Sequence, residues 1–400
     1  MVCPLVVLGQ NSVVGGHIND LLVKTGFEDV AVIDEPETVF ISYSDHVYRG
    51  PFRGALEAFR LLLNESVHKN IHLILQENRL PVVVLKLSGE QVNDYLDKKL
   101  SLAQLMSFVQ ISADVDEYIR LFGKAKRENH SAGKVDLVVY PQISLNNSWM
   151  DKLYGGIFNI APAVEVGLWK GASFTGQVIF PIWNNMNGEM DYIRAGMLLF
   201  RQEYRFPKNV FMAFHVGNFN ASRMGVDISA KYISDNDRWQ AGMNAGLTGS
   251  STFYFGKWAV SQWKRNSGAV FFRYNEPTHN LQFDLTGQRY IYGDYGVRLD
   301  CTRHFGEVAI GFYGMYSGGE ANGGFHFAVP LPGQKRMKRQ AVRIYLPEYF
   351  DWEYGAQSGR KYTEQRLGRS YETRPDENRS QRYYTPSYMK EMLVKLAKEK

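Results

Sequence analysis

Two groups of charged residues have the types and spacing that could bind an ion. Asp114, Asp116 and Glu117 place three carboxylates within four positions, and carboxylates are ligands that hard cations prefer. Arg49 and Arg53 lie near the start of a predicted helix, where an anion can be held. Both patterns have a commoner use, as a solvated acidic turn and as a plain positive surface. We therefore assign no metal ligand and keep the two arginines as a candidate anion contact.

No catalytic motif stands out along the chain. The sequence contains no recognisable G-x-S-x-G, H-E-x-x-H, Walker loop or G-x-G-x-x-G. The two cysteines, Cys3 and Cys301, form neither a disulfide framework nor a metal-binding spacing. We expect no catalytic residue and no cofactor. An enzyme acting on polysaccharide would need a carboxylate pair in a cleft, and a single sequence leaves that open.

The composition indicates a β-rich protein. Aromatic residues make up 14% of the 400-residue chain, with 24 Tyr, 24 Phe and 37 Gly but only 14 Pro. No run of about 18 apolar residues is present, so no transmembrane helix is predicted. Strands of a membrane barrel hide their apolar residues between polar ones, so this observation does not exclude a barrel.

Alternation of apolar and polar residues begins at Asp136 and is clearest in LQFDLTGQRYIYGDYGVRLDCTRHF, residues 281–305. A period of two predicts strands with two unlike faces. The apolar face would be the core of a soluble sandwich or the lipid side of a membrane barrel, and alternation alone leaves both open. The strands are about ten residues long, which favours a barrel over the five or six residues usual in a sandwich. The resulting candidates for lumen-facing residues are Gln282, Asp284, Arg298, Asp300 and Thr302.

Aromatic residues also cluster near the predicted strand ends, as in the aromatic girdles of membrane barrels. Tyr and Phe are good strand formers in any sheet, which is the alternative explanation. The candidate girdle residues are Tyr204, Phe206, Tyr254, Phe255, Tyr290 and Tyr292.

The chain divides into four parts. Residues 1–10 are an apolar run that we interpret as the end of a signal peptide, the alternative being a short first strand. Residues 20–123 have a β-α-β-β order, with a strand over 38–44, a helix over 50–66 and strands over 71–78 and 80–88. They predict a small α+β domain. Residues 136–332 predict a barrel of about twelve antiparallel strands, and residues 333–400 a polar, basic tail.

The tail carries the positive charge of the protein. Residues 335–400 contain 16 Lys and Arg against 9 Asp and Glu, whereas the whole chain has a net charge of +5. We expect this charge to meet anionic lipid, an acidic partner or an anionic glycan, and we expect no nucleic-acid binding. Thr385 and Pro386 begin a predicted amphipathic helix that is too short to be stable unless it is docked. Its apolar stripe is Met389, Met392, Leu393 and Leu396.

Three motifs carry a resemblance to a known family. They are G-D-x-G-V-R-L at 293–299, R-x-F at 303–305 and F-x-F-A-V-P-L at 325–331. With VFISYSDHVYRGPFRGALEAF at 39–59, the chain resembles the YjbH-type outer-membrane β-barrel proteins of exopolysaccharide and group 4 capsule secretion. The resemblance covers residues 38–335 loosely, and the segment beyond Gly333 lies outside it.

The resemblance implies a non-catalytic outer-membrane component of exopolysaccharide or capsule secretion in a Gram-negative bacterium. The N-terminal domain and the tail would then be periplasmic, and the partners would be outer-membrane lipid, polysaccharide and periplasmic or exporter proteins. Two alternatives stay open. One is a soluble secreted or periplasmic β-rich protein that binds glycan, and the other is a polysaccharide-modifying enzyme.

Overall fold

A computed structural model describes residues 13–146, 155–185, 190–236, 238–254, 256–356, 360–375 and 385–399. The predicted signal-peptide segment, residues 1–10, lies outside them. The helices are α1 (Val13–Thr25), α2 (Pro51–Asn64), α3 (Gly89–Leu96), α4 (Leu102–Phe108), α5 (Asp116–Leu121), α6 (Arg360–Glu364) and α7 (Pro386–Lys398). Among the described residues, no helix is long and apolar enough to cross a membrane.

The chain is mainly β, as predicted, and its strands form two sheets. The smaller sheet contains β1 (Glu28–Asp34), β2 (Thr38–Ser44), β3 (Asn70–Glu77), β4 (Leu80–Leu87) and β5 (Gln110–Ser112). The larger contains β6 (Val135–Asn146), β7 (Gly155–Gly167), β8 (Ala172–Asn184), β9 (Arg194–Phe206), β10 (Val210–Phe219), β11 (Arg223–Ile233), β12 (Trp239–Tyr254), β13 (Lys257–Val260), β14 (Arg265–Glu276), β15 (Leu281–Arg289), β16 (Tyr295–Phe305), β17 (Val308–Ser317), β18 (Glu320–Pro330), β19 (Val342–Tyr345) and β20 (Tyr349–Ala356).

The N-terminal domain has the predicted β-α-β-β order, in β2, α2, β3 and β4. Pro51 begins α2 in its first turn, where the backbone N–H has no partner within the helix, so that proline breaks no helical hydrogen bond there. Ser88 and Ser101 start α3 and α4 with capping boxes, closed by Gln91 and Gln104. Because β2 and β3 run parallel, the intervening α2 crosses over one face of the sheet, where its apolar side packs into the core.

The terminal helix α7 completes the core of this domain. It begins at Pro386 with Thr385 as the N-cap residue, as predicted. Met389 and Leu393 are fully buried in the same cluster as Phe52 and Phe59 of α2. The helix that is too short to stand alone is therefore stabilised by docking on the chain's own first domain.

The larger sheet has 15 strands, of which twelve long ones, β6–β12 and β14–β18, follow one another as antiparallel neighbours. Their lengths run from 9 residues in β15 to 16 in β12. The short β13 pairs only with the outer part of β12 and extends that strand into a hairpin. Consecutive pairing throughout explains why a local period of two was enough to find these strands.

The two edges of the large sheet are formed by neighbouring segments of the chain. Strand β19 pairs parallel with β6, and β20 pairs antiparallel with β18. Only residues 346–348, which include a proline, separate β19 from β20. The Trp352 indole N–H of β20 also donates to the Ile143 carbonyl of β6, at 3.1 Å. The sheet therefore extends beyond residue 332, the predicted boundary, into the segment predicted as tail.

One face of the large sheet is apolar and exposed, and the other is polar and buried. On β16, Leu299 is 51% exposed, whereas its neighbour Asp300 is 9% exposed. On β17, Phe312 is 67% exposed, and on β18 His326 is buried. This distribution is the opposite of a water-soluble sandwich, in which the apolar face is buried.

The N-terminal domain sits at one end of the large sheet, which we call the near end. Backbone and side-chain hydrogen bonds join the N-terminal domain to turns of the large sheet. The Gly171 N–H donates to the Asn78 carbonyl at 2.9 Å, and the Lys208 N–H donates to Asp116 at 2.9 Å. The opposite end, which carries the turns at 219–223, 289–295 and 317–320, is the far end.

Candidate functional site

The five residues predicted to line a lumen all lie on β15 and β16, on the buried face of the sheet. Gln282 and Thr302 are 1% exposed. The Gln282 amide donates to Asp284 at 2.6 Å, and Arg298 donates to Asp300 at 2.7 Å. The structure therefore places the five on the same polar face, as their alternation with apolar residues predicts. We call the buried, polar face of the large sheet the polar wall.

Two carboxylates of this wall face each other across neighbouring strands. Asp284 and Asp300 are register partners, a placement that would be repulsive without counter-charges. Arg273 of β14 binds Asp284 on one side, with its Nη2 3.2 Å from Oδ2. Arg298 binds Asp300 on the other side and also bonds Glu353 of β20 at 2.7 Å. Arg273 therefore binds one carboxylate and Arg298 is shared by two, so each of the three carboxylates is held by a guanidinium group.

A segment of the tail crosses the buried face. We call residues 360–375 the strap. Near the far end, the Gly368 N–H donates to Asp294 at 2.8 Å, and the Ile291 N–H donates to the Arg369 carbonyl at 3.0 Å. Toward the near end, Arg374 lies 3.8 Å from the carboxylate of Glu203 on β9. The strap therefore runs along the polar wall from one end of the sheet toward the other.

Tyr371 is the central anchor of the strap. Its hydroxyl donates to the Asp227 carboxylate of β11 at 2.8 Å, and its ring stacks on Phe219 with centroids 5.0 Å apart. A Cβ atom added to Gly246 of β12 would lie 1.6 Å from the Tyr371 hydroxyl. The absent side chain at Gly246 is therefore what leaves room for the tyrosine.

A cavity of about 290 Å³ lies at the near end, where the N-terminal domain, the sheet and the strap meet. Asn78 and Arg79 line it from the domain, Trp169 from the turn between β7 and β8, Arg201 from β9, and Arg374 from the strap. The Arg201 Nε is buried and has no hydrogen-bond partner among the described residues. Aromatic faces beside charged and amide side chains are able to bind a polar, ring-shaped ligand such as a sugar.

The candidate anion contact, Arg49 and Arg53, binds a carboxylate of the same chain. Both guanidinium groups bond Glu307, in the near-end turn between β16 and β17, at 2.9 and 2.6 Å. Burial would raise the pKa of Glu307, but hydrogen bonds from Arg53 and Arg49 outweigh it and lower this pKa to about 2. The Tyr349 hydroxyl adds a hydrogen bond of 3.0 Å. These two arginines therefore attach the N-terminal domain to the sheet.

Part of the basic charge of the tail is also used within the chain. Arg339 bonds Glu28 of β1 at 2.5 Å and Asp136 of β6 at 3.0 Å. Arg343 bonds the same Asp136 at 3.0 and 3.1 Å. All four residues are at most 9% exposed, so the charges are removed from solvent and from external partners.

The acidic cluster of residues 114–117 does not converge on a cation site. Asp114 accepts from the Asp116 N–H at 3.2 Å, and Asp116 accepts from the Lys208 N–H at 2.9 Å. In the part of the chain that the structure describes, no group of three or more His, Cys, Asp or Glu side chains is placed to hold a metal ion.

The sequence interpretation missed Arg273, Glu353 and the strap. Arg273 alternates with Phe272 and Tyr274, and Glu353 alternates with Trp352 and Tyr354, so the period of two marks both. The strap has no such signal, because its contacts join residues far apart in the chain. No protein-family model, curated protein or solved structure matches the chain.

Proposed function

We propose that this protein is a closed β-barrel of a Gram-negative outer membrane and a non-catalytic component of exopolysaccharide or capsule secretion. The observation that carries the proposal is the inverted distribution of the large sheet, with its apolar face exposed and its polar face buried. Burying Asp300 while exposing Leu299 costs free energy in water, whereas it is favourable when lipid surrounds the sheet.

The meeting of the sheet edges supports closure. If β19 and β20 are counted as one strand interrupted at residues 346–348, the large sheet has thirteen strands in chain order, leaving out the short β13. Because neighbouring strands alternate in direction, the first and the thirteenth run in the same direction. The parallel pairing of β19 with β6 fits this arrangement. The bond from Trp352 to Ile143 continues the contact further along β6. Closure would leave no unpaired strand edge in the bilayer, where such an edge is not tolerated.

Exposed aromatic residues at both ends of the sheet support a membrane position. Tyr204 and Phe206 are exposed near the near end and Tyr254 near the far end, as the girdle interpretation expects. Tyr290 is instead buried against Met315 on the inner face, and Phe255 lies outside the described residues. Further exposed aromatics are Tyr232, Trp239 and Phe305 near the near end and Trp183, Tyr295 and Tyr316 near the far end.

The role in polysaccharide secretion rests on the resemblance to YjbH-type proteins together with the near-end cavity. In this proposal the N-terminal domain and α7 face the periplasm, where exporter proteins and the glycan are found. The cavity at their junction with the barrel presents Trp169, which is 55% exposed, beside Arg201 and Arg374. Stacking on an aromatic face and bonding to planar charged groups are contacts that sugars accept.

Fractionation of a Gram-negative host tests the location. We expect the protein in the outer membrane, soluble only in detergent, and migrating faster on a gel before boiling than after it. Recovery in the soluble periplasmic fraction would favour the glycan-binding alternative instead.

Deletion of the gene tests the role. We expect loss of surface polysaccharide, restored by the wild-type gene and by a variant with an altered acidic turn, Asp114→Asn. If the double variant Trp169→Ala, Arg374→Ala also restores the surface polysaccharide, the cavity is not needed for secretion. Unchanged polysaccharide after deletion would refute the role while leaving the membrane location intact.

A further inference from the structure

We propose that the barrel holds a latent channel for hydrophilic solutes, which the strap, residues 360–375, keeps closed. The inference rests on the proposed membrane barrel and adds an activity to it. Its basis is the course of the strap along the polar face, from Gly368 near the far end to Arg374 near the near end.

The size of the barrel requires something to fill it. Thirteen strands spaced about 4.8 Å apart and tilted by about 40° form a backbone circle about 26 Å across, and eight strands form one about 16 Å across. Eight strands are filled by their own side chains. The extra width of about 10 Å equals the spacing of two packed polypeptide layers. A single polypeptide segment is therefore enough to fill the interior, and its removal leaves a water-filled path.

The contacts of the strap are those of a segment that can leave into water. At the far end, Glu372 exchanges two hydrogen bonds with Asn220, at 2.6 and 2.8 Å. Toward the near end, the strap is held by Arg374, which is 42% exposed and lies 3.8 Å from Glu203. Apolar packing is concentrated at the far end, where Tyr362 and Leu367 are buried with Tyr290. Polar contacts are replaced by water at small net cost, whereas lost apolar packing is not. The strap would therefore release first at its near-end half.

Many side chains of the wall exposed by this release are polar, although Tyr290 and Met315 form an apolar patch near the far end. The wall carries paired charges, such as Arg298 with Asp300, and buried amides, such as Gln177 and Gln240. A wall of ion pairs and amides does not repel a neutral, hydrophilic chain. The channel therefore suits hydrophilic solutes, including neutral or weakly charged sugar chains.

The test measures KCl current through planar bilayers that contain the full-length protein. Insertion is measured separately by flotation with liposomes. Gly246→Ala pushes Tyr371 away from the wall, Tyr371→Ala removes its hydrogen bond, and a Gly/Ser segment of equal length replaces the strap. Gly287→Ala is the matched control, since Gly287 lies in a strand with open space around its Cβ position.

We expect the wild type and Gly287→Ala to be inserted and almost always closed. Gly246→Ala and Tyr371→Ala should raise the open fraction about tenfold, as expected from one lost hydrogen bond to a carboxylate. The Gly/Ser replacement should be open most of the time. The variants change the strap or the wall at different positions. If one of them fails to insert, the currents of the others still test whether the strap closes the channel.

Equal currents for the inserted wild type and the inserted variants, whether high or low, would overturn the latent channel. Failure of the wild type to insert would instead overturn the membrane barrel on which the inference rests.

Discussion

Replacing Leu299 with arginine separates a lipid-facing sheet from a water-facing one. Leu299 is 51% exposed on β16, between Tyr295 and Phe305 on the same face. Those two aromatics are ten residues apart, about 34 Å along the strand and about 26 Å along the membrane normal at a tilt of about 40°. This span matches the apolar band of about 25 Å seen in outer-membrane barrels.

In the proposed barrel, Leu299 lies close to the centre of that band. It is four residues from Tyr295 and six from Phe305, so its height is about 3 Å from the midplane by the same strand geometry. Arginine at this depth should lower the free energy of unfolding by about 2–4 kcal/mol. In water the same exposed position should tolerate arginine within about 0.5 kcal/mol. The two environments therefore differ by at least about 1.5 kcal/mol, a factor of about ten or more in the folding equilibrium.

The assay is equilibrium unfolding by guanidinium of protein folded into lipid vesicles, followed by tryptophan fluorescence. Val260→Arg is the matched control, because β13 extends β12 beyond the other strands and Val260 is 45% exposed there. We expect a loss of about 2–4 kcal/mol for Leu299→Arg and about 0.5 kcal/mol or less for the control. Equal, small effects of both variants would refute the lipid-facing assignment.

Three further predictions concern the near end. The low pKa of Glu307 means that its contribution to stability is fully present above about pH 4.5 and is lost as the pH falls toward 2. Amide hydrogen exchange around Arg49 should therefore become faster in the wild type as the pH falls through this window. In Glu307→Gln the same amides should exchange fast already at pH 6. Exchange that does not change with pH in the wild type would contradict the pairing of Glu307 with the arginines. Leu393→Ala should destabilise the N-terminal domain by about 2–5 kcal/mol, because its side chain is fully buried, whereas the exposed Lys398→Ala should not. Equal thermal melting of the two would exclude docking of α7 in solution. If the cavity binds sugar as proposed, Trp169→Ala should weaken oligosaccharide binding by at least tenfold by calorimetry, with the exposed Trp263→Ala as the control. Unchanged affinity would exclude the cavity as the sugar site.

Local patterns in the sequence were enough to find most of the fold. The order β2, α2, β3 and β4 follows from apolar periodicity, and the start of α7 follows from Thr385 and Pro386. The long strands of the large sheet pair with their chain neighbours, so each carries its own signal. The polar wall at Asp284 and Asp300 was found for the same reason, because alternation fixes the side of a strand.

The features that the sequence did not reveal depend on distant contacts. Phe350, Trp352 and Tyr354 alternate with acidic residues and mark a strand, but the basic composition around them indicated a tail. The pairing of Arg53 with Glu307 joins residues 254 positions apart, and nothing local predicts it. The strap is recognised only by the polar face that it crosses. Its residues would look the same in a solvated linker.

The position of α7 has a consequence for the time course of synthesis. The N-terminal domain leaves the ribosome early, but the surface that covers Phe52 and Phe59 arrives with Met389 and Leu393, after every strand of the large sheet. Throughout translation the domain therefore displays an apolar groove, to which a chaperone can bind. The groove closes only when residues 385–399 have returned to the first domain. Chains that are truncated within the large sheet lack α7 and keep the groove exposed. The exposed groove therefore distinguishes truncated chains from full-length ones for cellular proteases.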